Sequence, residues 1–245
     1  MKSRTLAATL TLLCAAGQAW AQATPTQTPA QTPTPAQTST PAQTPTPQTP
    51  AAKPSPTPEA QKSDATKKYE ALLEKAKKGE GEIDFKALRF AFFETPEFNP
   101  LSGMLDFRAV WGPVFQSNWA EAVKQAEIVL AKNYVDANAH MTAHIAYRQQ
   151  GNEEKAKFHR RWADGLLASI TAGGDGKSPE TAWHVISTSE QYAVLQSMNL
   201  RRTSQALINA NGHAYDMVTV VDPQTKAEVK FFFNVDKPLS AYGRK

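Results

Sequence analysis

Eleven of the chain's 17 prolines fall between Thr24 and Lys62, and that stretch decides where a fold can begin. The unit Pro-Ala-Gln-Thr recurs at 29–32, 35–38 and 41–44. The stretch offers no aromatic and next to no aliphatic residue larger than alanine. It buries too little apolar surface to offset its ordering entropy, and proline favours extended polyproline II. At about 3.1 Å per residue such a segment reaches on the order of 120 Å. Residues 22–63 are therefore expected to be a disordered Pro/Thr/Gln/Ala-rich linker, a spacer or a docking segment. Its threonines and prolines also permit O-glycosylation. Folding is left to residues 64–245, enough for one domain with a real core.

Ahead of the linker the chain has the three-part layout of a secretory signal. Lys2 and Arg4 are its positive region, and an uncharged, mostly apolar run follows from Thr5 to Gly17. Ala19-Trp20-Ala21 then gives the small-x-small pattern of a cleavage site, with Ala23 as the alternative end. An apolar run of about 13 residues is too short to span a bilayer, which takes roughly 20. Residues 1–21 are expected to leave with cleavage after Ala21, placing the mature protein in the periplasm or outside the cell. The single cysteine, Cys14, lies inside the apolar run behind Leu12-Leu13. Leu13 is too large for the position before a lipoprotein cut, so Cys14 is expected to be discarded with no lipid anchor. The mature chain then has neither disulfides nor thiolate metal ligands.

The formal charge of +4 shrinks to +1 from Asp64 onward, where 23 Lys and Arg face 22 Asp and Glu. A nucleic-acid footprint needs a basic patch, and Arg160-Arg161 and Arg201-Arg202 are only pairs. No nucleic acid is expected.

Within the domain, helices come first and strands last. Asp64 is positioned to cap a helix to Lys78 that stops at Gly79, and Asp84 a second carrying Phe85, Leu88 and Phe92 on one face. Pro100, Gly103, Gly112 and Pro113 read as a loop-rich crossing, with Trp111 and its neighbouring aromatics over the core or along a groove. Three clearer helices follow, Asn118 to Lys132, Asp136 to Gln150 and Glu153 to Thr171. Ala143, Tyr147, Gly151-Asn152 and Ala156 resemble one and a half tetratricopeptide repeats, too few for a superhelix.

Ala182 to Ile186 reads as a strand and Ser189 to Ser197 as a short helix. Asn211-Gly212, between Ala206-Leu207-Ile208 and Tyr215 to Val221, is a hairpin signal. Val229, Phe231, Phe233 and Val235 alternate with Lys230, Phe232 and Asn234, a strand with one buried face. Phe232, on the otherwise polar face, is expected to be partly exposed or to meet a partner. The fold class is α+β: an N-terminal helical layer with a tetratricopeptide-like helix pair, packed on a C-terminal antiparallel sheet of three or four strands.

Five segments together resemble an exported bacterial family catalogued as domain of unknown function 4919. They are Ile83-Asp84-Phe85 with Leu88-Arg89-Phe90, Asn133-Tyr134 with Ala139-His140, Gly174 to Ser178, Glu190-Gln191-Tyr192 and Phe233 to Asp236. The resemblance spans about residues 67–238. It implies no activity and no catalytic residues.

The chemistry in the sequence is sparse. Gly173-Gly174-Asp175-Gly176-Lys177-Ser178 imitates a phosphate loop, but position 171 is Thr where the motif needs Gly, and a helix precedes it where the motif needs a strand. It reads better as a glycine-rich helix exit with Ser178 capping a turn begun by Pro179, where Lys177 is a weak anion candidate. His140 and His144 share a helix face, and His159 on the next helix is a third candidate metal ligand. No Glu follows His140, so the zinc-protease pattern is missing. Asp175, Glu180, His184 and Glu190 form an acid–base set only if the loop folds over the strand. No Gly-x-Ser-x-Gly occurs.

Two classes of function remain. The first is a non-catalytic binding module whose partner is an unknown protein or envelope component. The second is a hydrolase-type enzyme built on residues 173–190. The absence of any visible catalytic constellation favours the first, with no catalytic, cofactor or metal residues and no permanent membrane span.

Overall fold

Side-chain caps set most of the helix starts, as the sequence leads one to expect. The computed structural model describes residues 62–79, 81–100, 102–222 and 224–242, so the expected signal and all of the expected linker but Lys62 and Ser63 lie outside the described residues. Helix α1 runs Asp64–Lys78, and its cap is Ser63, whose hydroxyl accepts the Thr66 amide at 3.0 Å. The expected cap, Asp64, sits instead in the first turn, where its charge complements the helix dipole. Helix α2 (Phe85–Phe93) is capped by Asp84. Helices α4 (Trp119–Lys132), α5 (Ala137–Gln149) and α6 (Glu153–Thr171) are capped by Asn118, Asp136 and Asn152.

The crossing at 100–113 is not a loop. Ser102–Phe115 forms a helix, α3. Phe107, Val110, Trp111 and Val114 recur at helical spacing, and Val110 and Trp111 are buried. The breakers lie toward the helix ends. Gly103 is in the first turn, pressed against Ser189, and Pro113, which has no amide to give the Ala109 carbonyl, is followed by the helix end at Phe115. The chain turns back through Ser117, and the Asn118 amide bonds the Pro113 carbonyl at 2.8 Å.

Helices α3 to α6 pack through small residues. Ala126, Ala139, Ala143 and Ala156 are fully buried with Val110 and Trp111. They let α5 and α6 approach closely around the Gly151-Asn152 turn, the helix pair expected from sequence. Helix α6 is the spine of the domain. Its Trp162 and Leu166 join Phe92 and Phe93 of α2, while Ile170 joins the apolar face of the sheet.

The sheet has four strands in the order β1-β4-β3-β2: β1 (Trp183–His184), β2 (Arg202–Ala210), β3 (His213–Val221) and β4 (Glu228–Asn234). Helix α7 (Thr188–Ser197) precedes β2. Strands β2 and β3 form the hairpin, with Ala210 opposite His213. Both turn residues have positive φ, Asn211 at 54° and Gly212 at 78°, so the turn is the tight type whose twist matches the strands. The sheet is mixed and not wholly antiparallel. Strand β1 pairs parallel to β4, Trp183 against Phe233. The intervening α7 and hairpin are long enough for the crossover a parallel pair needs, and Trp183 stacks on Phe231 with ring centroids 5.1 Å apart. Phe232 is half-buried. An unexpected last helix, α8 (Asp236–Ala241), follows β4. Among the described residues no helix is long and apolar enough to cross a membrane.

Candidate functional site

The glycine-rich loop is a latch. The Trp183 indole donates to the Gly174 carbonyl at 2.9 Å, and the Gly176 amide donates to the Thr181 carbonyl at 2.9 Å. Gly176 has φ +71, and a Cβ there would lie 2.7 Å from the Trp183 ring, so glycine is needed twice over. Asp175 accepts the Thr181 hydroxyl at 2.7 Å and the Lys177 amide at 3.0 Å, which holds its carboxyl below the usual carboxylate range. Lys177 is exposed, and Glu180 accepts from Asn211 of the hairpin turn.

Asp175, His184 and Glu190 do not converge. Asp175 and His184 are exposed, whereas Glu190 is buried against Arg89 of α2. Arg89 Nε and Nη2 donate to the two Glu190 oxygens at 2.6 and 2.7 Å. Nη2 also reaches the His184 carbonyl, Nη1 reaches Ser169, and the Ile186 amide donates to Glu190. The pair is satisfied on every side and ties α2 to α7. No spacing rule singles out Arg89; its one signal in the sequence, outside the family resemblance, is a lone guanidinium within the apolar run 88–93.

The three histidines divide in the same way. His144 Nδ1 bonds the Ala156 carbonyl at 2.9 Å and fastens α5 to α6. His140 Nε2 bonds the Tyr134 carbonyl at 3.0 Å. A carbonyl can only accept, so the Nε2 proton is fixed and Nδ1 is left to accept from His159 Nδ1, 3.0 Å away. Burial lowers His140 to about 3 and His159 to about 4, so both rings are neutral at pH 7. His140 also stacks on Trp162 at 5.3 Å. Among the described residues no group of three or more His, Cys, Asp and Glu is placed to hold a metal.

One face of His159 lines a cleft of about 560 Å³ between α1, α2, α4 and α6. Phe158 is its exposed aromatic, 42% accessible. Tyr69 and Tyr134 form further walls, with Lys77 Nζ lying 3.7 Å over the Tyr134 ring. Three carboxylates enter the cleft, each with a partner. Glu70 pairs with Lys62 at 2.6 Å, Glu97 accepts the Thr66 hydroxyl at 3.1 Å, and Glu127 accepts the Tyr147 hydroxyl at 2.9 Å. Burial together with Glu127 pushes the Tyr147 phenol up to about 12. Two buried side-chain polar atoms among the described residues have no hydrogen-bond partner, and one is the hydroxyl of Tyr69. Burial raises its pKa, the Tyr134 backbone amide counteracts this in part, and the oxygen is closed off from solvent behind the cleft wall.

Two other concavities differ in character. One of about 570 Å³ lies beside Phe107, Phe115, Tyr192 and Leu200, with Arg201 and Arg202 at its rim. Trp111 does not line it. It is buried and donates to Asn138 at 3.1 Å, while Phe115 stays 68% exposed. The other, of about 420 Å³, contains Asp136, which burial pushes up to about 6 although it accepts the Ala139 amide and the Ser189 hydroxyl.

No curated protein and no solved structure matches the chain. A family model described as Domain of unknown function (DUF4919) matches residues 61–244, so the chain belongs to that family.

Proposed function

We propose that the protein is an exported, non-catalytic binding module whose ligand site is the cleft between α1, α2, α4 and α6. The carrying observation is the convergence there of an exposed aromatic, three carboxylates and two lysines around about 560 Å³. Sites for small ligands are concave, are lined by aromatic and apolar groups, and use a few polar groups to set orientation. The histidines beside it are neutral and committed to helix packing, which supports binding over proton transfer. The signal and linker read from the sequence supply the rest: a secreted domain held on a long spacer from its own N-terminus.

The test is native mass spectrometry of the protein purified from its host's envelope, with an Ala131→Trp variant alongside. Ala131 is exposed on α4 at the cleft wall, so the bulky ring fills the site without entering the core. A bound mass present in the wild type and lost in the variant is expected. A bound mass that Ala131→Trp leaves untouched overturns the assignment of the cleft.

A further inference from the structure

We infer that the ligand of this cleft is a saccharide, an inference that rests on the binding reading above. The argument is one of matching donors, acceptors and charge. Glu70, Glu97 and Glu127 bring three carboxylates to the cleft, acceptors with lone pairs left for hydroxyl or amine donors. Lys77 and Lys132 bring ammonium donors to the same lining. An anionic ligand supplies acceptors but meets three carboxylates. A cationic ligand supplies donors but meets Lys77 and Lys132. A sugar hydroxyl both donates and accepts, and it carries no charge to be repelled by either set.

The walls fit the same class. Phe158 packs T-shaped with His159, ring centroids 5.2 Å apart and planes at 89°, and stays 42% accessible. An exposed ring is a platform for the C–H face of a pyranose, whose body is apolar although its rim is polar. The existing partners of the carboxylates, the Thr66 and Tyr147 hydroxyls, hold the acceptors in place before a ligand arrives. A pre-positioned site loses less side-chain freedom on binding.

Saturation-transfer NMR and calorimetry on the mature protein test this, with cellobiose, maltose and the disaccharide of N-acetylglucosamine as neutral probes and spermidine and citrate as charged ones. At least one disaccharide is expected to bind, and Ala131→Trp to abolish it. Phe158→Ala and Glu97→Gln, both on the exposed wall, are each expected to weaken it by about fivefold or more. Co-sedimentation with insoluble murein sacculi distinguishes a wall glycan from a free sugar, since only the former pellets the protein. If spermidine or citrate binds in the cleft and no saccharide does, the saccharide assignment falls and the binding reading stands. If no probe and no host ligand binds, both fall.

Discussion

The guanidinium of Arg89 and the carboxylate of Glu190 meet inside the domain, two hydrogen bonds at 2.6 and 2.7 Å joining positions 101 residues apart. Neither side chain reaches solvent to any useful extent, at 1% and 6% exposure. The pair closes the core between α2, α6 and the strand entry at His184. A buried ion pair is not by itself a source of stability, because desolvation offsets the attraction. What it does is make each partner obligatory.

Glu190→Gln is therefore expected to destabilise the domain by about 3–5 kcal/mol, since it leaves a buried guanidinium uncompensated. Adding Arg89→Met is expected to recover at least about 2 kcal/mol of that loss. Gln still gives the Ile186 amide an acceptor, so the cycle isolates the charge. Urea denaturation of the four proteins measures it, and a double variant no better than the single one would contradict the account.

Stability is expected to fall as pH is lowered from about 6 to about 4. His140 and His159 titrate near 6.5 when unfolded and at about 3 and about 4 when folded, so in this window unfolding takes up two protons. Asp136 acts in the opposite sense. Its folded value of about 6 lies above 3.8, so unfolding releases one. The net uptake of one proton gives a loss of about 1.4 kcal/mol per pH unit, with His184 adding in the same direction. Asp136→Asn, which keeps a good helix cap, is expected to roughly double that slope. Denaturant midpoints measured between pH 4 and 6.5 check both slopes.

Gly165 lies on α6 where the Phe85 ring of α2 rests, and a Cβ there would land on that ring. Phe85 is itself packed against Trp162 at 5.5 Å with the planes at 89°, a contact it would have to give up in order to withdraw. Gly165→Ala is expected to cost about 1–3 kcal/mol by overpacking, although alanine is the better helix former. Thermal melting gives the sign: an upward shift would show that α2 is free to move away.

Export is expected to leave Gln22 as the first residue of the mature protein. N-terminal sequencing of protein from an osmotic-shock fraction and from the medium reads this directly, and a start after Ala23 would mark the alternative site. Full-length chain retaining Met1 and found only inside the cell would overturn export.

Local chemistry was legible in advance because it acts over three or four residues. Asp84, Asn118, Asp136 and Asn152 stand as caps, and Asn211-Gly212 makes the hairpin. Helix α3 was not legible, because Gly103, Gly112 and Pro113 each disfavour a helix locally and only the burial of Val110 and Trp111 against α4 and α5 outweighs them. The parallel pairing of β1 with β4 was hidden for a related reason. It is set by which apolar face Trp183 finds, not by any local turn.

Composition, period and caps are properties of neighbouring residues, so the fold class, the starts of α2, α4, α5 and α6 and the lack of any cysteine after Cys14 follow from the chain read in order. Which polar residues meet is settled only by the packing. Arg89 and Glu190 have matching charges that no spacing rule connects, and His140 turns to Tyr134 and His159 while His144, one helical turn away, turns to Ala156. The cleft around Tyr69 is of the same kind. Its walls come from separate helices, and only their packing around Trp162 and Leu166 brings Glu70, Glu97 and Glu127 to one space.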